Sequence, residues 1–330
     1  MSGSTSTLPG LDAPGVAGER TPAIEVRGLT KRYGDLVAVD RLDLTVEVGE
    51  TFALLGPNGA GKTTTIECCE GYRCPDGGQV RVLGLDPHRH APALRPRVGL
   101  MLQEGGVYPT AKPLEVLRLF AAFYADAEDP EHLLHDVGLS AATGTRFRDL
   151  SGGQKQRLSL ALALVGKPEV VFLDEPTAGL DPQARRATWA RIRDLKAAGV
   201  TVVLTTHLLD EAEELADRVA IVDRGRLIAL GTPDELTHGH TPAEVRFTAR
   251  PGLDVADLGR TIGQPVTEDR TGRYLVDAPG SPRLIADLAA WLADRDEPLG
   301  ELQAGKRSLE DVFLGLTAEV PGAADGQVGA

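Results

Sequence analysis

Nine residues constrain this chain more than any others: Gly56-Pro57-Asn58-Gly59-Ala60-Gly61-Lys62-Thr63-Thr64. They follow a compact apolar run, Thr51-Phe52-Ala53-Leu54-Leu55, and lead into a helix-like stretch from Lys62 to about Cys69, so the order is strand, loop, helix. The spacing satisfies the phosphate-loop pattern, in which glycines let backbone N–H groups turn inward around phosphate oxygens. Lys62 supplies a point charge for the β and γ phosphates, Thr63 a hydroxyl for Mg²⁺, and the helix its positive N-terminal end.

The rest of the pattern predicts what this loop is mounted on. Val170-Val171-Phe172-Leu173 and residues 200–205 are further short apolar runs of the kind buried on both faces of a parallel sheet. Residues 183–198 between them place Trp189, Ile192 and Leu195 on one side and stop at Gly199, as a helix does. Strands alternating with helices predict an α/β fold, the doubly wound sheet of a P-loop NTPase cassette. Residues 24–48, broken by Gly28 and Gly34, read as an antiparallel subdomain. Residues from about 106 to 150 read as mostly helical, with Leu114, Leu117 and Phe120 spaced by three, and give a helical insertion over about 106–165. A hairpin around Asp223-Arg224-Gly225-Arg226 closes this first domain, 24–240, near His240. A small α+β domain is expected over 241–318, with strands at 244–248, 274–277 and 299–303 and a helix over 282–292. A last helix begins after the N-cap Ser308. Residues 1–23 and 319–330 are expected to be disordered tails.

The 330 residues are 42% hydrophobic and 25% charged, ordinary values for a chain with a real core, and roughly 150 residues per domain also suggests two units. A formal net charge of -13 repels phosphate backbones, so no nucleic-acid partner is expected. No run reaches the ~18 apolar residues needed to span a bilayer, so any membrane role is borrowed from a partner. Cys68, Cys69 and Cys74 do not form a disulfide framework and read as buried or idle thiols; the His88/His90 and His238/His240 pairs read as solvated loop histidines. Asp210, Glu211, Glu213 and Glu214 read as a solvated helix face.

Two further motifs carry chemistry. The apolar run ending in Asp174-Glu175 delivers two carboxylates at the carboxyl end of a strand, where ligands gather in open α/β sheets. Asp174 would hold Mg²⁺ directly or through water, and Glu175 would orient or deprotonate the attacking water. Ser151-Gly152-Gly153-Gln154 opens a helix and makes a second anion site. One nucleotide does not need both from one chain, but a head-to-tail pair of chains could bury ATP between them.

In this order and spacing the three motifs resemble the nucleotide-binding subunit of ATP-binding cassette (ABC) transporters, over residues 24–240. The resemblance implies an ATPase with ATP and Mg²⁺ as cofactors. Tyr33 matches the aromatic that stacks on adenine, and Gln103 the glutamine that touches Mg²⁺ and the water. His207 matches the histidine at the γ phosphate, and Gly179-Leu180-Asp181 the loop that speaks across the dimer. It also implies a homodimer with ATP sandwiched head to tail, and separate transmembrane permease subunits at the cytoplasmic face of the membrane. Ser308-Leu309-Glu310-Asp311-Val312-Phe313-Leu314 is similar to the ending of drug-exporter ATPases of the daunorubicin-resistance kind, which favours export of a drug-, antibiotic- or lipid-like molecule. The alternative is a soluble ABC-type ATPase that acts on a macromolecular assembly.

Overall fold

The protein is described by a computed structural model that covers residues 21–101, 106–238, 245–304 and 309–318. Two long strands, β1 (Ile24–Tyr33) and β2 (Leu36–Val46), pair antiparallel around a turn at Gly34-Asp35. Next come β3 (Thr51–Leu55), α1 (Lys62–Glu70) and β4 (Gly77–Val82), the last returning to β1 to complete a three-stranded antiparallel sheet. The chain continues through α2 (Ala91–Leu94), β5 (Val98–Met101), α3 (Pro113–Ala121), α4 (Pro130–Asp136) and α5 (Gly152–Leu164). It then runs β6 (Val170–Asp174), α6 (Pro182–Ala197), β7 (Thr201–Thr206), α7 (Leu209–Leu215), β8 (Arg218–Asp223), β9 (Arg226–Gly231) and α8 (Pro233–His238).

Six of these strands form the central sheet in the order β5-β6-β7-β3-β8-β9, parallel except for β9, which forms the expected hairpin with β8. The sheet explains the continuous apolar runs. Successive side chains of a strand point to opposite faces, and here both faces are covered. Ala53, Leu55, Val171, Leu173, Val202 and Leu204 enter the core shared with helices α5, α6 and α7. Phe52, Leu54, Val170, Phe172 and Val203 enter the opposite core, closed by the antiparallel sheet and α1.

Three expectations are revised. Residues 106–150 hold only α3, α4 and short 3₁₀ turns at Ser140–Ala142 and Phe147–Asp149, because Pro130, Gly138 and Gly144 interrupt the helical spacing. Ala23, assigned to the first tail, is fully buried, and its carbonyl accepts from the Leu83 amide at 2.7 Å. Asp210, Glu213 and Glu214 are exposed, but Glu211 is not on a solvated face: it is completely buried, one helical turn before the buried Leu215 and next to the buried Ala212.

The second domain is built from β10 (Val245–Thr248), α9 (Val255–Ile262), β11 (Val266–Arg270), β12 (Arg273–Val276), α10 (Pro282–Ala293) and β13 (Leu302–Ala304). Its antiparallel sheet runs β11-β12-β10-β13, the split β-α-β arrangement, around a core of its own with Phe247 stacked on Tyr274. Helix α9 and strand β11 are not among the elements expected from the sequence. Four of the five β11 residues are exposed, so this edge strand has no alternating signal. The last helix, α11 (Leu309–Ala318), leaves this domain and returns to the first. Leu309 is fully buried in the cassette core, and its amide donates to Glu213 Oε1 at 2.6 Å. The N-cap assigned to Ser308 lies outside the described residues.

Candidate active site

Strand order decides what meets what. β7 lies between β6 and β3, and in register Leu55 pairs with Thr206 and Asp174 with Thr205. The glycine loop, the carboxylate pair and His207 therefore emerge side by side at the carboxyl edge of three adjacent parallel strands.

The loop is shaped by close approach. A Cβ on Gly56 would lie 2.3 Å from the Val222 carbonyl oxygen, and one on Gly61, at φ +98°, 2.4 Å from that of Ala38. Only glycine fits either place. Ala60 is buried beneath the loop, and its amide donates to the Pro57 carbonyl at 3.1 Å. Lys62 is buried as well, and its ammonium sits within the loop, donating to the carbonyls of Gly56 (2.7 Å) and Pro57 (3.1 Å). Burial lowers the Lys62 pKa below its ordinary value, against the pull of Glu175 and Asp174.

Across the loop, Gly56, Pro57, Asn58, Glu175, Thr206 and His207 share a cavity of about 400 Å³, and Phe313 from α11 joins its wall. Thr63 and Asp174 share a second cavity, of about 350 Å³, with Glu67, Glu70, Tyr72 and Arg73. Asp174 accepts from the Thr205 hydroxyl, and burial raises its pKa above the usual carboxylate value. Glu175 turns the backbone into the left-handed region (φ +49°). It is held there from both sides: its amide donates to the carbonyl (3.1 Å) and hydroxyl (3.2 Å) of Thr205, and its carbonyl accepts from Gln156 Nε2 (2.8 Å). The side chain meets His207, Nδ1 to Oε1, at 3.2 Å.

The donors fit a magnesium triphosphate. No group of three or more His, Cys, Asp or Glu side chains able to hold a metal exists among the described residues. Mg²⁺ uses few protein ligands, takes the rest from phosphates and water, and would find Thr63 and Asp174 facing one cavity. Lys62 and Asp174, both shifted toward their neutral forms by burial, would each regain a charge partner from such a ligand.

The remaining predicted residues lie apart. Ser151 caps α5 in a reciprocal capping box, its Oγ accepting from the Gln154 amide (3.2 Å) while Gln154 Oε1 accepts from the Ser151 amide (2.9 Å). Ser151 and Gly152 are exposed, Gly153 and Gln154 half-buried, and none of the four lines either cavity. Asp181, also exposed, caps α6 by accepting from Gln183 and Ala184. Tyr33 is 40% exposed, with Lys31 and Arg73 within 6 Å of its ring (5.6 and 5.8 Å). Gly59, Thr64 and the other loop residues follow the strand as expected; Gln103 lies outside the described residues. Thr205, Gln156 and Phe313 were not predicted for the site. Only Thr205 left a signal, a hydroxyl in an apolar strand that ends opposite two carboxylates.

A loop that cages a lysine ammonium, a strand-end aspartate facing a loop threonine, and a glutamate paired with a histidine define a P-loop nucleoside triphosphatase. The chain belongs to the ABC transporter family, as an ATP-binding, ATP-hydrolysing subunit. The ABC transporter family pattern matches residues 39–178. The Nod factor export ATP-binding protein I of Ralstonia nicotianae is 38% identical over 315 residues, 92% of this chain and 96% of that protein. The daunorubicin resistance ATP-binding protein DrrA3 of Streptomyces coeruleorubidus is 40% identical over 309 residues, 90% of this chain and 96% of that protein. The solved structure of an ATP-binding subunit of an ABC transporter matches with a TM-score of 0.61 at 30% identity, covering 66% of this chain and 92% of that one. A dimeric bacterial ABC transporter cassette matches with a TM-score of 0.59 at 25% identity, covering 63% and 98%. No helix among the described residues is long and apolar enough to cross a membrane.

Proposed function

We propose that this subunit powers export of a drug-, antibiotic- or lipid-like molecule through separate transmembrane subunits, from the cytoplasmic face of the membrane. One observation carries the reading: relatives named for Nod factor export and daunorubicin resistance match 90% or more of the chain, second domain included. In this reading two copies join head to tail. The exposed Ser151 end of α5 then serves the nucleotide held by the phosphate loop of the other copy, and Asp181 speaks across the same joint.

Lys62 and the loop amides bind the β and γ phosphates. Thr63, Asp174 and Gln103 hold Mg²⁺, which supplies charge neutralisation to those phosphates. Glu175 orients or deprotonates the attacking water, His207 holds the γ phosphate and the glutamate in one geometry, and Tyr33 stacks on the adenine. The test is a tagged pull-down from solubilised native membranes. A co-purifying polytopic membrane protein whose loss abolishes efflux is expected. Recovery with ribosomes or another soluble assembly, and with no membrane protein, would overturn the reading.

A further inference from the structure

Glu211 is a carboxylate that the site described above does not use, and it is completely buried. Its Oε1 accepts two hydrogen bonds, from Thr177 Oγ1 at 2.8 Å and from Trp189 Nε1 at 3.0 Å. Its Oε2 is buried with no hydrogen-bond partner among the described residues. Burying a carboxylate with half its hydrogen-bonding capacity unmet is unfavourable, and an apolar side chain of similar size would fill the same volume without that cost.

The three partners join the parts of the chain that must agree during catalysis. Thr177, itself fully buried, lies two residues beyond Glu175 in the turn that leads to Gly179 and Asp181. That turn is tight: the Ala178 amide donates to the Glu175 carbonyl (3.1 Å) and the Leu180 amide to the Thr177 carbonyl (3.2 Å). Trp189 sits on α6, the helix capped by Asp181. Glu211 sits on α7, four residues after His207. The Glu211–Thr177 bond therefore clasps the segment that bears the glutamate to the segment that bears the histidine, behind the place where their side chains meet at 3.2 Å.

We propose that Glu211 is a positioning residue for ATP hydrolysis, whose buried carboxylate fixes the turn after Glu175 against the helix after His207. The proposal rests on the reading of Glu175 and His207 as the groups acting at the γ phosphate. Without the clasp the turn at Glu175 keeps its hydrogen bonds to Thr205, on the strand side, and to Gln156 of α5, but loses its tie to α7. The carboxylate then samples positions from which it does not address the water. Small displacements of a catalytic group cost rate steeply, while ATP affinity, set by the phosphate loop, is untouched.

The test uses the full chain with four variants: Thr177→Val, Glu211→Ala, their double variant and Glu211→Gln. Each is measured for kcat and KM with Mg-ATP and for Tm. Thr177→Val removes one hydroxyl at nearly constant volume, so it stays informative if Glu211→Ala folds poorly. A loss in kcat of about 10- to 100-fold is expected for Thr177→Val, with KM within about twofold of wild type. Glu211→Ala should lose as much or more, and the double variant no more than the worse single one, because both remove the same bond. Glu211→Gln keeps an oxygen that can accept both hydrogen bonds, so it should recover most of the rate. Wild-type kcat in Thr177→Val, or a Glu211→Gln as slow as Glu211→Ala, would overturn the proposal. So would rates that fall only in step with Tm. A Glu175→Gln control separates the two layers: if it is inactive while Thr177→Val is normal, the positioning role alone fails, and if it hydrolyses at the wild-type rate, the underlying reading fails with it.

Discussion

Glu175 occupies a backbone conformation that non-glycine residues rarely adopt, and strain of this sort persists only where the surroundings over-determine it. Here three hydrogen bonds from Thr205 and Gln156 do so, and they aim the side chain at His207. Replacing it by glutamine keeps the size and reach but removes the charge. Glu175→Gln should lose roughly 10² to 10⁴ in hydrolysis rate while still binding ATP, and should accumulate as an ATP-bound dimer. Phosphate release measured beside size-exclusion mass checks this; a variant that failed to bind ATP would make the residue structural. Glu70 offers a second test at this scale. Burial, with Asp174 and Glu67 nearby, raises its pKa to about 7 from an ordinary 4.5. The folded protein therefore keeps a proton that the unfolded chain releases, so stability is fully present below about pH 4.5 and is lost as pH rises through about 7. The loss is on the order of 3 kcal/mol. Asp174, raised in the same direction, adds to it, and Arg73 on the same cavity does not cancel it. In protein free of Mg²⁺ and nucleotide, Glu70→Gln should flatten the fall in Tm between pH 5 and 8.

Among the elements, the N-terminal end of α5 has a cap in the single chain and, in the proposed dimer, a second duty. The Ser151 hydroxyl is the N-cap of the helix in the single chain, and in the proposed dimer it also faces the nucleotide of the other copy. An alanine there would mix the two effects, since losing a serine cap costs ~1 kcal/mol, whereas glycine costs only a few tenths. Ser151→Gly should therefore melt within about 1 °C to 3 °C of wild type and bind ATP normally as a monomer, yet hydrolyse it more slowly. Equal loss of monomer binding and hydrolysis would place Ser151 outside a shared site. The helix start at Ser151, the phosphate loop and the β8–β9 hairpin were all legible in the sequence because each is settled within a few neighbouring residues. The irregular stretch around α3 and α4 was not: its leucine spacing predicted more helix than Pro130, Gly138 and Gly144 permit.

In the whole molecule the second domain is not a detachable appendage. It has its own core, yet the chain leaves it through α11 to bury Leu309 in the cassette, hydrogen-bond Glu213 and bring Phe313 to the cavity of Gly56 and His207. Deletion of residues 241–330 would therefore also open this part of the cassette core. Leu309→Ala isolates that contribution. A fully buried leucine truncated in a packed core costs about 2 to 5 kcal/mol, so the variant should destabilise the cassette by that amount while the second domain, whose core it does not enter, keeps its stability. Chemical denaturation followed by hydrogen exchange in each domain reads the difference. Equal destabilisation of both domains, or none in the cassette, would show that α11 does not dock as described.

The sequence by itself determined the chemistry and the architecture that mounts it. A strand–loop–helix with that glycine spacing, apolar runs too continuous for a one-sided sheet, and two carboxylates at a strand end are local patterns with few physical solutions. What only the tertiary structure decided is which polar groups become partners. Thr205 reaches Asp174 across 31 residues, Thr177 reaches Glu211 across 34, and Leu309 reaches Glu213 across 96. In sequence Glu211 is one acid among four, and Leu309 one leucine of a terminal helix. Their burial follows from strand order, from the Asp174–Thr205 register and from which face each helix turns inward. Those are set by the packing of distant segments against one sheet, and no short window of the chain contains them.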